Sequence, residues 1–232
     1  MNNCNSDLSG KAIPRDCYGF VNDKTTKEET VRKRKKAIRE QWKKDVAKVQ
    51  TLEDIVRIYE KYDLRNLEAF LIGLKHGNTV ELICGKIPNP NPNPLPMYNR
   101  HPHQNRLPNE TIKETSKKFE CIGEKRYKDF DDLYESVKKI GKEISGIGPL
   151  AIYDFSIRYG YSKGLQPEEE VYIHAGTLIG AESVLGKERK IKVWDKIPVS
   201  EFPKEMRKLN GLHLENLLCI YKKKLKEITS KK

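Results

Sequence analysis

Two glycines around one isoleucine, Gly146-Ile147-Gly148, separate two stretches of the chain that both have helical patterns. Before the glycines, apolar residues recur at the spacing of one helix face: Phe130, Leu133, Tyr134, Val137 and Ile140. After them, Pro149 suits the first position of a helix, where its missing N–H has no bond to make. Glycine permits a tight reversal that other residues avoid. The sequence therefore predicts a helical hairpin over residues 128–160, with Ile147 inserted into the core.

A hairpin of this kind offers a surface for a phosphate group. The phosphate can approach the glycine backbone closely, and the free N–H groups at the start of the second helix point toward it. We expect Gly148 and Leu150 to donate, and we expect nearby lysines, including Lys138 and Lys139, to add positive charge. The predicted nucleic-acid-binding residues are Lys142, Ser145, Gly146, Ile147, Gly148, Leu150 and Lys163.

The segment Ile144-Ser-Gly-Ile-Gly148 resembles the hairpin of helix-hairpin-helix DNA-binding proteins, and residues 130–181 resemble the helix-hairpin-helix DNA glycosylase superfamily. Val171-Tyr-Ile-His174 stands in about the place of that superfamily's Val-Asp-Thr-His segment. The resemblance implies binding to DNA through phosphate contacts, which position a protein without reading sequence. RNA is the alternative polyanion. We expect no cofactor other than a monovalent cation at the carbonyl oxygens of the hairpin.

Two positions depart from the pattern of that superfamily. Its catalytic Asp aligns with Tyr172, which is not a general base at neutral pH without a large pKa shift. The Lys of its bifunctional members aligns with Leu150, so no amine is available there to form a Schiff base. These departures favour a fold without catalysis that serves as a recognition or damage-sensing module in DNA repair. The alternatives are a glycosylase with a relocated carboxylate and a protein-interaction module whose hairpin is purely structural.

Three residues remain candidates for catalysis: Asp154, Glu170 and His174. Glu170 ends the acidic run Glu168–Glu170, which we interpret as the first turn of a helix rather than as a displaced carboxylate. His174 lies beside apolar neighbours, and this favours a half-buried histidine with satisfied hydrogen bonds. Asp154 and Arg158 are one helical turn apart, and this spacing predicts an ion pair between them.

The charge balance favours a polyanionic partner. Lys and Arg number 45 against 33 Asp and Glu, a net charge of +12, and such a surplus speeds association with nucleic acid.

The five cysteines include no CxxC pair, which argues against a zinc site, an iron–sulfur cluster and a complete disulfide framework. The N-terminal residues lack a signal-peptide pattern, and no apolar run reaches the length of a membrane span. We expect a protein of the cytoplasm or nucleoid, or of the nucleus in a eukaryote.

Composition divides the chain into segments. Residues 1–26 are polar and predict a poorly ordered arm, and residues 27–225 predict an all-α or mostly α, multi-helix globular domain. Residues 86–108 form a spacer within this domain, which cannot be helical because proline occupies every second position from Pro88 to Pro96. Residues 226–232 predict a basic tail.

Local signals add three smaller predictions. Thr51 and Asp54 have the spacing of a capping box at a helix start. Val193 and Trp194 are expected to anchor a polar, basic segment to the core. His101 and His103 lie in the spacer without the neighbouring ligands that a metal site needs, so we expect no metal there.

Overall fold

The structure, a computed structural model, describes residues 28–65, 67, 68, 71 and 107–230. This part of the chain is mostly α-helical with one small two-stranded sheet, which confirms the predicted mostly α class. The predicted N-terminal arm and most of the Pro/Asn-rich spacer, including His101 and His103, lie outside the described residues. No described helix is both long enough and apolar enough to cross a membrane.

Seven α-helices account for most of the described residues. They are α1 (Glu28–Ala47), α2 (Leu52–Tyr59), α3 (Asn109–Phe119), α4 (Phe130–Gly141), α5 (Pro149–Ser162), α6 (Ala175–Leu185) and α7 (Gly211–Thr229). The capping box predicted from Thr51 and Asp54 is present at the start of α2. Helix α7 includes residues 226–229, where the sequence predicts a basic tail, because Ile228 still faces the core.

The sheet pairs β1 (Glu170–Tyr172) with β2 (Lys196–Pro198) in antiparallel orientation. Two further backbone bonds continue this pairing beyond the strands. The N–H of Trp194 donates to the carbonyl oxygen of Ile173 (2.8 Å), and the N–H of Ile173 donates to that of Asp195 (2.9 Å). The sheet therefore fixes the segment that carries Trp194 beside the segment that leads into α6.

The interpretation of Glu168–Glu170 as the first turn of a helix is wrong. Glu168 and Glu169 lie in a bend, and Glu170 begins β1. The backbone here bonds to distant segments: the N–H of Gly211 donates to the carbonyl oxygen of Glu168 (2.7 Å), and the N–H of Val199 donates to that of Glu169 (2.7 Å). These tertiary bonds outweigh the weak local preference for a helical turn.

The buried apolar side chains fall into two groups. The first lies around α2 and α7, and α1 packs against it; its members include Ile55, Val56, Tyr59, Leu214, Leu217 and Tyr221. The second lies around α4 and α5; its members include Phe130, Leu133, Tyr134, Val137, Ile152 and Phe155. Helices α6 and α7 cross where Gly180 meets Leu218, because a Cβ on Gly180 would lie 2.4 Å from the carbonyl oxygen of Leu218.

His213 makes the stability of this fold depend on pH. Its Nδ1 lies 2.9 Å from the hydroxyl of Tyr59, and its side chain is only 12 % exposed. Burial lowers the pKa of His213 from 6.5 to about 4, although the carboxylate of Glu68 lies 3.9 Å from Nε2. In the unfolded chain the imidazole of His213 is therefore protonated near pH 6.5, whereas in the folded protein it is protonated only near pH 4.

We expect the contribution of His213 to be constant above pH 6.5 and to destabilise the fold as the pH falls toward 4. The full loss amounts to roughly 3 kcal/mol. Urea denaturation of the native protein and of His213→Gln over this pH range measures the effect. Equal pH slopes for the two proteins would contradict it.

Candidate nucleic-acid interface

Helix α4 begins and ends at residues that its sequence explains. The carboxylate of Asp129 accepts a hydrogen bond from the backbone N–H of Asp132 (2.9 Å) and caps the helix. Gly141, its last residue, lies against α5, since a Cβ at this position would stand 2.8 Å from the side chain of Ile152. The missing side chain lets the two helices come close just before the chain reverses.

The turn Lys142–Gly148 connects α4 to α5. The N–H of Ile144 donates to the carbonyl oxygen of Gly141 (3.1 Å), and the N–H of Ile147 donates to that of Ile144 (3.2 Å). Gly146 has a φ of +85°, in the left-handed region that favours glycine. Ile147 is half-buried against the group around α4 and α5, and so packs on the core as the sequence predicts.

Gly148 differs from Gly146, because the fold does not require glycine at this position. Gly148 is the N-cap of α5 with an ordinary extended backbone, φ −109° and ψ 179°. A Cβ added there would meet nothing within 4 Å. No described residue accepts a hydrogen bond from the backbone N–H groups of Gly148, Leu150 and Ala151. The start of α5 therefore presents three donors beside a position that has no side chain.

Six of the predicted binding residues lie together at this turn. Lys142, Ser145 and Gly146 are exposed, and the other three are half-buried. The structure does not bring Lys163 to them, because Lys163 is the C-cap at the far end of α5. A helix of this length places it about 20 Å from Gly148. The ammonium group of Lys163 lies instead 5.5 Å from the ring of Tyr159.

Three carbonyl oxygens of the turn accept hydrogen bonds from the protein, and one of them, that of Gly148, accepts from the N–H of Ile152 (3.1 Å). The hydroxyl of Thr111 in α3 donates to the carbonyl oxygen of Ser145 (3.4 Å), and the carbonyl oxygen of Ile144 accepts from Ile147 (3.2 Å). A carbonyl oxygen has two lone pairs, so these bonds leave each oxygen one further site. The monovalent cation at these carbonyls stays a prediction.

Trp194 lies beside the turn, in the segment that leads into β2. Its ring centroid is 5.2 Å from the Nζ of Lys142 and 5.6 Å from the Nζ of Lys138. Trp194 is half-buried against the group around α4 and α5, as expected of an anchor. Its φ of +83° is unusual for a bulky residue and costs roughly 1–2 kcal/mol of strain.

A cluster of polar side chains surrounds Tyr172, the last residue of β1. The hydroxyl of Tyr172 donates to Oδ1 of Asp131 (3.0 Å). Lys196 forms ion pairs with Asp131 and with Glu135 (3.1 Å to the latter). Both carboxylates belong to α4, so the cluster ties the sheet to the first helix of the hairpin.

The protonation states of this cluster do not favour nucleophilic chemistry. Burial raises the pKa of Tyr172 well above its usual value, and the Asp131 carboxylate raises it further. Burial alone would lower the pKa of Lys196, but its hydrogen bonds to Asp131 and Glu135 outweigh that effect and raise the pKa. Tyr172 therefore stays a hydrogen-bond donor at neutral pH, and Lys196 stays an ammonium ion.

The three candidate catalytic residues lie on three different elements. Asp154 is half-buried on α5, and Glu170 is half-buried at the start of β1. His174 is the N-cap of α6 and is only 2 % exposed, so it is buried rather than half-buried. Its Nδ1 accepts a hydrogen bond from the N–H of Gly176 (3.1 Å).

The other ring nitrogen of His174 faces a second helix. Since Nδ1 is an acceptor, the proton of the neutral ring lies on Nε2, 2.5 Å from Oε1 of Glu215 in α7. The hydroxyl of Thr177 lies 2.8 Å from the same nitrogen and donates to the same carboxylate oxygen (2.9 Å). His174, Thr177 and Glu215 therefore form a closed hydrogen-bond network, called here the α6–α7 clamp.

Two residues of the α6–α7 clamp lie beside Cys219, and together the three offer atoms of the kind that bind metals. Among the described residues, His174, Glu215 and Cys219 each offer one ligand atom, and these atoms lie within 4.8 Å of one another. Both nitrogens of His174 are engaged in protein hydrogen bonds, however. The hydrogen bonds of Glu215 to His174 and Thr177 connect α6 to α7 directly.

Sequence reasoning missed the roles of Asp131 and Glu215, and it missed the contact of Trp194 with Lys138 and Lys142. Their partners lie far away along the chain: Asp131 and Tyr172 are 41 positions apart, as are His174 and Glu215. No local pattern marks such pairs. Comparisons of the chain with protein-family models, with curated proteins and with solved structures gave no match.

Proposed function

We propose that this protein binds DNA without sequence specificity, through the turn Lys142–Gly148 and the first residues of α5. The observation that carries the proposal is Gly148. Its backbone conformation is open to any residue, and a side chain there would meet no steric obstacle. Glycine at this position keeps space clear in front of the unpaired N–H groups of Gly148, Leu150 and Ala151, and a phosphate oxygen fits that space.

The charges around the turn support a phosphate as the ligand. The positive end of the α5 dipole lies at Gly148. Lys142 is exposed and, within the described part of the chain, forms no ion pair with a carboxylate. Glu143 is the acidic residue of the turn, and the ammonium group of Lys118 lies 3.7 Å from its carboxylate. The local charge therefore favours an anion.

The proposal does not include base excision. Tyr172 is held as a protonated donor to Asp131, and Lys196 is held as a protonated ammonium ion. Both ring nitrogens of His174 are engaged in hydrogen bonds, Nδ1 with the N–H of Gly176 and Nε2 with Glu215 in the α6–α7 clamp. A protein that contacts phosphates and holds no activated base or nucleophile among these residues serves as a binding or sensing module.

Replacing Gly148 by aspartate tests the proposal directly. Aspartate is a good N-cap residue, so we expect the folded state to be retained or slightly stabilised. Its carboxylate would occupy the phosphate position, and we expect DNA affinity to fall at least about tenfold. The measurement is fluorescence anisotropy with single-stranded, duplex and nicked DNA and with matched RNA, at two salt concentrations.

Gly164→Asp is the matched control. Gly164 is exposed, a Cβ there would meet nothing within 4 Å, and its φ of +74° is one that aspartate tolerates better than most residues. It follows Lys163 at the far end of α5, so the same charge change should leave affinity within about twofold.

If both variants bind like the native protein, the turn is not the contact. Absence of salt-dependent binding to every probe would instead support a purely structural hairpin, and tighter binding to RNA would reassign the polyanion.

A further inference from the structure

Trp194 occupies a costly position that its packing alone does not explain. Its backbone is in the left-handed region, which a bulky side chain rarely adopts. Glycine or asparagine would fit the same turn with less strain. The ring is nevertheless only half-buried. Residues with a strained backbone cluster at ligand-binding and active sites. The partly exposed ring of Trp194 therefore points to a contact with a ligand.

The two lysines at the ring are held differently. The ammonium group of Lys138 donates to both carboxylate oxygens of Glu135 (3.0 Å each), and its side chain is 17 % exposed. Lys142 is exposed, and its ammonium group lies 5.2 Å from the centre of the Trp194 ring. Lys138 is therefore fixed by α4, whereas Lys142 can swing away from the ring at little cost.

Resting on the proposed function, we infer that Trp194 is a stacking platform for an unstacked base of a nucleic acid whose backbone follows the turn Lys142–Gly148. Lys142 is the C-cap of α4 and the first residue of that turn. Its side chain can therefore reach either the Trp194 ring or a phosphate at the turn. A phosphate at the turn attracts its ammonium group, and the exposed part of the ring is then free for a base. The cation–π contact is exchanged for an ion pair and a stacking contact.

This arrangement predicts a preference for nucleic acid with unpaired bases. A base inside a duplex is already stacked on its neighbours, so only single strands, gaps and ends can offer one to Trp194 without further cost. The turn alone contacts phosphates and does not distinguish these probes. Trp194 therefore supplies the discrimination that the backbone contacts lack.

Tryptophan fluorescence tests the inference, because the chain contains two tryptophans, Trp42 and Trp194. Trp42→Phe leaves Trp194 as the single reporter. The probes are a short mixed-sequence DNA single strand and an abasic single strand of equal length, which has the phosphates but no bases. We expect the strand with bases to quench the Trp194 emission by at least about half, and the abasic strand to quench it little.

A second variant keeps the test independent of the reporter. Trp194→Gly suits the positive φ, and circular dichroism would verify its fold. We expect its anisotropy-measured affinity for the single strand to fall roughly tenfold, and its duplex affinity to change less than about twofold. Equal quenching by both strands, or unchanged single-strand affinity of Trp194→Gly, would overturn the inference. If Gly148→Asp still weakens duplex binding in that case, the proposed function stands; if no probe binds, both fail.

Discussion

Replacement of Glu215 by alanine is expected to lower the free energy of unfolding by roughly 3 kcal/mol or more. Glu215 is buried, and one of its oxygens accepts hydrogen bonds from the ring of His174 and from the hydroxyl of Thr177. Alanine would leave at least one of these buried donors without an acceptor and would open a cavity between α6 and α7. Urea denaturation of the two proteins at neutral pH measures the difference.

Glu215→Gln is the control for this prediction. Glutamine keeps the volume and one acceptor oxygen, so we expect a loss of only about 1 kcal/mol. The same variant decides between a structural and a functional α6–α7 clamp, because it should bind DNA like the native protein. An alanine variant as stable as the native protein would contradict the clamp. A folded Glu215→Gln protein with weakened DNA binding would return His174 to the list of functional residues.

The two helices around the turn could be predicted because their signals are local. Apolar residues repeat on one face of α4 from Phe130 to Ile140, and Pro149 marks the start of α5. Each signal needs only the few residues of one helix, and helical periodicity depends on nothing farther away. The structure accordingly places α4 at Phe130–Gly141 and α5 at Pro149–Ser162, so that α5 ends two residues beyond the predicted range of 128–160.

The strand at Glu170–Tyr172 could not be predicted, because distant partners decide it. Its acidic start favours a helical turn, yet its backbone pairs with β2, which lies more than twenty positions later. The same limit applies to the placement of Trp194. The sequence identifies it as a core anchor, but only the fold shows that its ring meets Lys138 and Lys142 of α4.

Replacement by alanine should affect Gly180 and Gly148 in opposite ways. At Gly180 it should lower stability, and at Gly148 it should lower DNA affinity. Gly180 lies where α6 crosses α7, and a Cβ there would stand 2.4 Å from the carbonyl oxygen of Leu218. Backbone atoms cannot move aside as a flexible side chain can. We expect Gly180→Ala to lower the free energy of unfolding by about 3 kcal/mol, at the upper end of the cost of overpacking.

Gly148→Ala is the counterpart, since a Cβ there would meet nothing within 4 Å. We expect its unfolding free energy to stay within about 1 kcal/mol of the native value, because alanine is only a weaker N-cap than glycine. Its methyl group would stand where a phosphate approaches, so DNA affinity should fall severalfold. Folded Gly180→Ala should bind DNA like the native protein. Denaturation and anisotropy on both variants give the four values. If Gly148→Ala loses stability but keeps its affinity, then glycine serves the fold at that position, and the space in front of α5 has no ligand to explain it.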